Sequence, residues 1–314
     1  MQRQTQKEDM MSEFLEADIS KKSIEHQPSE TALATATMRT LAAHDEREEI
    51  RGSDYLAEIF LAEDRRTSLK DPKVRQWVMK NKIAPGVYEF MIARTAFFDH
   101  VVRDTLLLNI PQIVLLGAGY DSRPLRFKDL VKETRIFELD AQPTQLRKKE
   151  VLKQAGIPMP NHLTFVPIDF NRNNLKDVLP AAGFFRDQRT LFVWEGVTYY
   201  LSAKVVDDTL GVIRTISPAG SSICFDYASL SAEALAEEGA KKLKEHMKSK
   251  FPAEPTKFGI PKGRLEAFLA ERGYVIIEHL SPSEMEARYL TLRDGSTVGR
   301  VPALFSFVHA ALAR

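Results

Sequence analysis

The chain has 314 residues, of which 44% are hydrophobic and 28% are charged, as in ordinary globular proteins that bury a full core. Its 44 Lys and Arg residues balance 43 Asp and Glu residues, so the net charge of +1 gives no broad attraction for nucleic acid or an anionic membrane. The single cysteine, Cys224, excludes an intramolecular disulfide and a cysteine-based zinc site, and we predict no metal site. Because no apolar stretch approaches the roughly 20 residues of a membrane span, we expect a cytoplasmic protein without membrane or nucleic-acid partners.

The first third of the chain contains no strand pattern. Residues 1–30 are polar and aperiodic, which predicts a mobile leader. Residues 31–108 follow the helical period, and helices are predicted over residues 31–44, 53–61 and 87–108. We therefore expect an N-terminal helical cap over residues 31–108 that forms one folded unit with the rest of the chain.

After Pro111, short β-branched or aromatic runs alternate with helical segments, the pattern of a parallel sheet in an α/β domain. Seven strands are predicted, over residues 112–116, 135–139, 163–166, 190–194, 221–227, 274–279 and 303–309. Helices are predicted over residues 142–154, 203–216, 231–247 and 262–271, and the prolines of residues 251–261 predict a loop. The expected architecture of residues 109–314 is a Rossmann-like α/β domain.

Glycines and acids follow the first four predicted strands. Gly117 and Gly119 follow the first strand, where glycine permits a tight turn and the close approach of a ligand. The next three strands end, in chain order, at Asp140, at Asp169 with Phe170, and at Glu195. Because ligands of open α/β sheets bind beyond the carboxyl ends of the strands, we predict a binding site at this edge.

Asp140 is the candidate for binding ribose. It lies 23 positions after Gly117, close to where nucleotide-binding folds place the acid that binds ribose hydroxyls. Glu138 lies on the same side of that strand and competes for the role, and we prefer Asp140 because it lies at the strand tip. A solvated carboxylate at a strand end is the alternative interpretation.

The acids at the strand ends favour S-adenosylmethionine over a dinucleotide as the ligand. An acidic rim repels the pyrophosphate of a dinucleotide, and Ser122 occupies the third glycine position of the dinucleotide fingerprint. S-adenosylmethionine carries a sulfonium, an ammonium and one carboxylate, and therefore suits this rim better. Two alternatives stay open, a nicotinamide-dependent oxidoreductase and a catalytically silent cofactor-binding protein of the same fold.

Arg94 lies in the middle of an apolar helical stripe that precedes the first strand. The stripe consists of Val87, Phe90, Met91, Phe97, Phe98, Val101 and Val102. A buried arginine is costly unless it meets an anion. We predict that this anion is the carboxylate of the cofactor, and an ion pair with a protein carboxylate is the alternative.

The sequence resembles the leucine carboxyl methyltransferase family, specifically its large bacterial branch of S-adenosylmethionine-dependent methyltransferases. The resemblance covers roughly residues 30 to 314. It is carried by the runs at residues 93–95 (ART, with Asp99), 114–123 (VLLGAGYDSR), 137–140 (FELD, with Pro143 and Thr144), 169–170 (DF) and 194–201 (WEGVTYYL), and more weakly by residues 38–40 (MRT).

The resemblance implies a class I methyltransferase fold, a seven-stranded sheet whose last strand is antiparallel, with additional N-terminal helices on the substrate side. It also implies functions for six residues: Arg94 for the cofactor carboxylate, Gly117 for the loop against the cofactor, Asp140 for ribose, Asp169 with Phe170 for adenine, and Glu195 for the ammonium. Phe170 stands where many relatives have leucine, a change that preserves an apolar wall for adenine.

Methyl transfer requires alignment of the acceptor and exclusion of water rather than a nucleophilic side chain, and no catalytic residue is predicted. Tyr199 and Tyr200 are candidates for lining the acceptor pocket, and packing beneath the cap is the alternative. The resemblance favours O-methylation of a carboxylate or hydroxyl on a small metabolite, with a protein C-terminal carboxylate as a further alternative. Neither the acceptor nor the oligomeric state follows from the sequence.

Overall fold

The computed structural model describes residues 28–170, 172–237, 240–243, 245, 249 and 257–313. All but the last three residues of the predicted leader lie outside the described residues. None of the helices in the described part of the chain combines the length and the apolarity that a membrane crossing requires.

In the described part of the chain, four α-helices precede the sheet. They are α1 (Glu30–Ala43), α2 (Glu63–Ser68), α3 (Pro72–Lys82) and α4 (Val87–Leu107). Ser29 caps α1 because its hydroxyl accepts a hydrogen bond from the amide of Ala32 at 3.1 Å. Asp71 caps α3 in the same way, and Pro72 occupies the first turn of that helix, where a missing amide proton costs nothing.

Eight strands form one mixed sheet with the order β3-β2-β1-β4-β5-β8-β7, and β6 pairs with the end of β5. The strands are β1 (Gln112–Leu116), β2 (Arg135–Asp140), β3 (Leu163–Pro167), β4 (Thr190–Trp194), β5 (Ser222–Leu230), β6 (Ile260–Pro261), β7 (Tyr274–Leu280) and β8 (Phe305–Leu312). β8 runs antiparallel to both β5 and β7, whereas β1 to β5 are parallel. The predicted antiparallel last strand is therefore confirmed.

Seven further α-helices whose bounds lie within the described residues connect the strands. They are α5 (Arg123–Arg126), α6 (Gln142–Gln154), α7 (Leu175–Ala181), α8 (Ala203–Ile216), α9 (Ala232–Ala236), α10 (Leu265–Ala270) and α11 (Pro282–Tyr289). The chain leaves β1 towards β2 and later returns to β4 on the other side of β1. The strand order reverses there, and the diverging loops leave a crevice at the carboxyl ends of the strands.

Each face of the sheet has its own apolar core. Ile113 and Leu115 of β1 pack with Phe97 and Phe98 of α4, so one core joins the N-terminal helices to the sheet. Val114 of β1 faces the opposite core, which also contains residues of α8 and α10. Because successive side chains of a strand point to opposite faces, an uninterrupted apolar β1 supplies both cores.

The segment predicted as a helix over residues 53–61 forms no α-helix, and only Ala57–Phe60 is helical, in a 3-10 conformation. Tertiary contacts hold its beginning, because the Ser53 hydroxyl donates to Asp99 and Asp54 accepts a hydrogen bond from Ser122 at 2.5 Å. These buried polar contacts outweigh the local preference for a helix.

Other boundaries also differ from prediction. β6 is a short eighth strand inside the segment predicted as a loop over residues 251–261, of which residues 251–256 lie outside the described part. The helix predicted over residues 231–247 begins with α9, but parts of it likewise fall outside the described residues. The short helices α2, α5, α7 and α11 were not predicted individually, because four to eight residues give too little periodicity.

Candidate functional site

A cavity of about 330 Å³ lies at the carboxyl ends of β1 to β4, beneath α1. All seven residues that the sequence predicts to bind a cofactor line this cavity: Arg94, Gly117, Gly119, Asp140, Asp169, Phe170 and Glu195. Tyr200 also lines it. Tyr199 is not part of the wall, because its ring is buried and its hydroxyl donates to Asp226.

The loop after β1 turns tightly over the end of β2. Gly117 has a φ of 69°, and a Cβ atom there would lie 2.5 Å from Cγ2 of Val197. The amides of Gly117 and Ala118 donate to the carbonyl of Leu139 at 2.8 and 2.9 Å. Any larger residue at position 117 is therefore both strained and crowded, and glycine lets the loop pack directly against Val197.

Asp140, at the end of β2, lies beside the loop after β1 and lines the same cavity. Its carboxylate accepts hydrogen bonds from the amides of Gly119 at 2.6 Å and Ala141 at 2.7 Å. Burial raises the pKa of Asp140 above its ordinary value, although these two amides oppose the shift. Glu138, the competing candidate, does not line the cavity, and both of its oxygens accept from Lys148 at 2.7 Å.

Asp169 and Phe170 form the wall that follows β3. The backbone amide of Asp169 donates to Oδ1 of Asn173 at 2.9 Å, and its carboxylate lies 3.3 Å from Nε of Arg172. Phe170 packs against the core on the face of the sheet opposite α4. This pair therefore offers one polar edge and one apolar face to the cavity.

Three arginines surround Glu195 at the other end of the cavity. Oε2 accepts from Arg123 at 2.7 Å, whereas Oε1 accepts from Arg39 and lies 3.1 Å from Nε of Arg94. Burial would raise the pKa of Glu195, but Arg123, Arg39 and Arg94 together lower it to about 2. Glu195 is thus an ionised carboxylate whose charge is already balanced within the protein.

Arg94 has protein partners, as the alternative interpretation of the sequence expects. Its Nη1 atom lies 3.4 Å from Oδ2 of Asp226, and its Nε atom faces Glu195. It nevertheless lines the cavity. Within the described residues, the buried Nε atoms of Arg39 and Arg94 find no acceptor in hydrogen-bonding geometry. The Nε atom of Arg39 is therefore available for an anion at this end, whereas that of Arg94 faces Glu195.

These ion pairs change the electrostatic argument made from the sequence. Asp121 is paired with Arg123 at 2.6 Å, and Glu195 is also neutralised. Asp140 and Asp169 remain as the acids that line the opposite end of the cavity. Ser122 is fully buried and bonded to Asp54, so the position of the third fingerprint glycine carries a side chain with a structural contact.

Sequence reasoning missed the contribution of α1. Ala32, Thr35, Ala36 and Arg39 lie on one face of this helix and form the roof of the cavity. Their spacing of three or four residues, with small side chains next to an arginine, is the signal that could have revealed this face.

A second missed residue is Asp226, which is fully buried on β5. It accepts from the amide of Gly196 at 2.7 Å and from the hydroxyl of Tyr199, besides facing Arg94. An acid in the middle of an otherwise apolar strand is a visible signal, because such an acid must find partners inside the fold.

A family model described as leucine carboxyl methyltransferase matches residues 32–214, which is more than half of the chain. The chain belongs to the leucine carboxyl methyltransferase family. The resemblance recognised from the residues is therefore confirmed. The matched region extends from α1 to α8 and includes every residue predicted to bind a cofactor.

Named relatives in the family come from bacteria. The chain is 33% identical over 226 residues to "Putative S-adenosyl-L-methionine-dependent methyltransferase YktD" of Bacillus subtilis, covering 71% of this chain and 72% of that protein. A protein of Frankia alni with the same description is 31% identical over 198 residues, covering 60% of this chain and 66% of its own length.

A crystal structure from Thermobifida fusca, described as a "putative methyltransferase", is similar with a TM-score of 0.55. It is 16% identical in sequence and covers 92% of this chain and 96% of that chain. At this identity the similarity concerns the fold alone, and it confirms the class I methyltransferase fold expected from the sequence.

Proposed function

We propose that the chain is an S-adenosylmethionine-dependent methyltransferase that methylates an oxygen, a carboxylate or a hydroxyl, of a small molecule. The observation that carries this proposal is the meeting of seven predicted cofactor-binding residues, from four strand ends and α4, in the wall of one cavity. Family membership supports the reaction class. The cytoplasmic location and the absence of nucleic-acid and membrane partners stay predictions.

The wall of the cavity fits the proposed cofactor. Gly117 lines the cavity without a side chain, so a ligand can approach its backbone closely. The guanidinium groups of Arg94 and Arg39 line the cavity and suit the cofactor carboxylate, and Asp140 suits the ribose hydroxyls. Asp169 and Phe170 supply a polar edge and an apolar face for adenine.

The predicted contact between Glu195 and the cofactor ammonium receives less support. Glu195 already pairs with three guanidinium groups, so its carboxylate has little capacity left to attract an ammonium. We therefore propose that Glu195 acts chiefly by orienting Arg94 and Arg39. Its contact with the ammonium stays a prediction.

The cofactor, when bound, supplies a methyl group already activated by its sulfonium. The residues of this chain have to bind and orient the cofactor and the acceptor and keep water away. Helix α1 covers one side of the cavity, and Tyr200 and Leu201 form part of the wall near β4. We propose this side for the acceptor.

Calorimetric binding tests the cofactor assignment. We expect S-adenosylhomocysteine to bind and to raise the melting temperature, whereas NADH does neither. Tight binding of NADH without binding of S-adenosylhomocysteine would overturn the proposal in favour of an oxidoreductase.

Transfer of a labelled methyl group tests the reaction. We expect product with carboxylate or phenol acceptors from a panel of small molecules, and no product with amines. Labelled amines would overturn the proposed oxygen specificity. Cofactor binding without transfer to any acceptor class would favour the catalytically silent alternative.

A further inference from the structure

Asp226 lies one strand beyond the four strands whose ends form the predicted site. Its side chain is fully buried and is not part of the cavity wall. A carboxylate in such a place is costly unless its partners are held in fixed positions. The partners of Asp226 are all residues of the candidate site or of the loop that carries it.

The two oxygens of Asp226 have different partners. Oδ1 accepts from the amide of Gly196 at 2.7 Å. Oδ2 accepts from the hydroxyl of Tyr199 and lies 3.4 Å from Nη1 of Arg94. The main-chain carbonyl of Asp226 accepts from the hydroxyl of Thr198 at 2.6 Å. One residue of β5 therefore holds three of the four residues 196–199.

This arrangement fixes the orientation of the Arg94 guanidinium. Glu195 faces its Nε atom at 3.1 Å and Asp226 faces its Nη1 atom at 3.4 Å, so two carboxylates from neighbouring strands hold it from two sides. The third nitrogen, Nη2, contacts the sulfur of Met91 at 3.2 Å. Without Asp226, the guanidinium would be attracted to Glu195 alone and would turn away from its present position.

We propose that Asp226 is a positioning residue, which holds Arg94 and the loop of residues 195–200 for the carboxylate end of the cofactor. The inference rests on the proposed function. It makes Asp226 a determinant of specificity, because only ligands that carry the amino-acid portion of the cofactor depend on Arg94. Ligands that consist of the adenosine portion alone depend on Asp140, Asp169 and Phe170.

Two ligands separate these contributions. S-adenosylhomocysteine carries both portions, and 5′-methylthioadenosine lacks the amino-acid portion. Asp226→Asn keeps the size of the side chain but replaces one carboxylate oxygen by an NH₂ group. That group then faces a hydrogen-bond donor of the protein where the oxygen accepted. We expect this variant to weaken the calorimetric binding of S-adenosylhomocysteine about 10-fold or more and that of 5′-methylthioadenosine by less than about 2-fold.

Glu138→Gln is the matched control. Glu138 is also a buried strand acid paired with a cation, Lys148, but it does not contact Arg94 or the cavity. We expect the affinity ratio of the two ligands in this variant to equal that of the wild-type chain. A ratio that changes as much as in Asp226→Asn would overturn the inference, since any buried acid would then have the same effect.

Tyr199→Phe provides a second and milder test, because it removes one donor to Asp226 and leaves the charge in place. We expect a smaller loss of affinity that is again confined to S-adenosylhomocysteine. Equal losses for both ligands in Tyr199→Phe, or in a folded Asp226→Asn variant, would overturn the inference. If the wild-type chain binds neither ligand, the proposed function fails and the inference fails with it.

Discussion

Asp140 is the residue that we propose to bind the ribose of the cofactor. Asp140→Ala removes a charged acceptor for ribose and the partner of the amides of Gly119 and Ala141. We expect S-adenosylhomocysteine binding to weaken by about 1–3 kcal/mol in calorimetry. Asp129→Ala, an exposed acid on the loop before β2, serves as the control and should bind as the wild-type chain does. Unchanged affinity in a folded Asp140→Ala variant would remove the ribose assignment.

At Arg94, the structure changes the prediction that the sequence alone makes. If the Arg94 guanidinium were buried without a partner, Arg94→Met would cost no stability. In the structure, however, the substitution deprives Asp226 and Glu195 of a partner. We expect the free energy of unfolding in urea to fall by about 1–3 kcal/mol, and cofactor affinity to fall as well. Arg103→Met, on an exposed position of the same helix, should change the stability by no more than about 0.5 kcal/mol. Wild-type stability in Arg94→Met would show that the ion pairs contribute nothing.

At the scale of elements, α1 is the roof of the site. A Cβ atom at Gly119 would lie 3.2 Å from the Cβ of Ala32, so the helix lies directly over the loop after β1. Ala32→Leu should fill part of the cavity and weaken S-adenosylhomocysteine binding by about 1–3 kcal/mol, with little effect on the helix itself. Ala34→Leu on the same helix adds equal volume outside the cavity wall and is the control. Equal affinities of the two variants would contradict the assignment of α1 as the roof.

Acid should weaken the connection between α1 and β4, because Glu195 binds Arg39 of α1. Burial opposes ionisation, but Arg123, Arg39 and Arg94 lower the pKa of Glu195 from 4.5 to about 2. A group with a lowered folded pKa contributes stability above its unfolded pKa and loses it as the pH falls through the folded value. Stability measured in urea should therefore fall between about pH 4.5 and pH 2, by about 3 kcal/mol from this group.

Glu195→Gln should flatten this part of the pH profile because the group no longer titrates. Asp207→Asn, which removes a largely exposed partner of Arg272, should leave the profile as it is in the wild-type chain. An unaltered acid profile in Glu195→Gln would contradict the role of this carboxylate in holding α1.

At the scale of the whole molecule, the shared core of α4 and β1 predicts that cap and sheet unfold together. The two tryptophans report on the two parts, since Trp77 lies on α3 and Trp194 lies on β4. In the variants Trp77→Phe and Trp194→Phe, each with one tryptophan left, we expect thermal transitions by fluorescence with the same midpoint. An earlier transition of the Trp77 signal would instead indicate a separate cap domain. That cap and sheet form one folded unit stays a prediction.

The sequence by itself determined the Rossmann-like sheet and the edge at which the site lies. Strand periodicity, the glycines at positions 117 and 119 and the acids at strand ends are local features, and parallel topology brings strand ends together without further information. The strands β1 and β4 and the helices α6 and α8 accordingly have their predicted bounds.

Only the tertiary structure decided which charges pair. Glu195 binds Arg39, Arg94 and Arg123 from three different helices, and Asp226 joins Arg94 to the loop after β4. Arg39 and Glu195, which pair directly, are separated by 156 positions in the chain. The free energy of a buried ion pair depends on distances of a few ångströms and on the exclusion of water, and neither is encoded by periodicity or spacing.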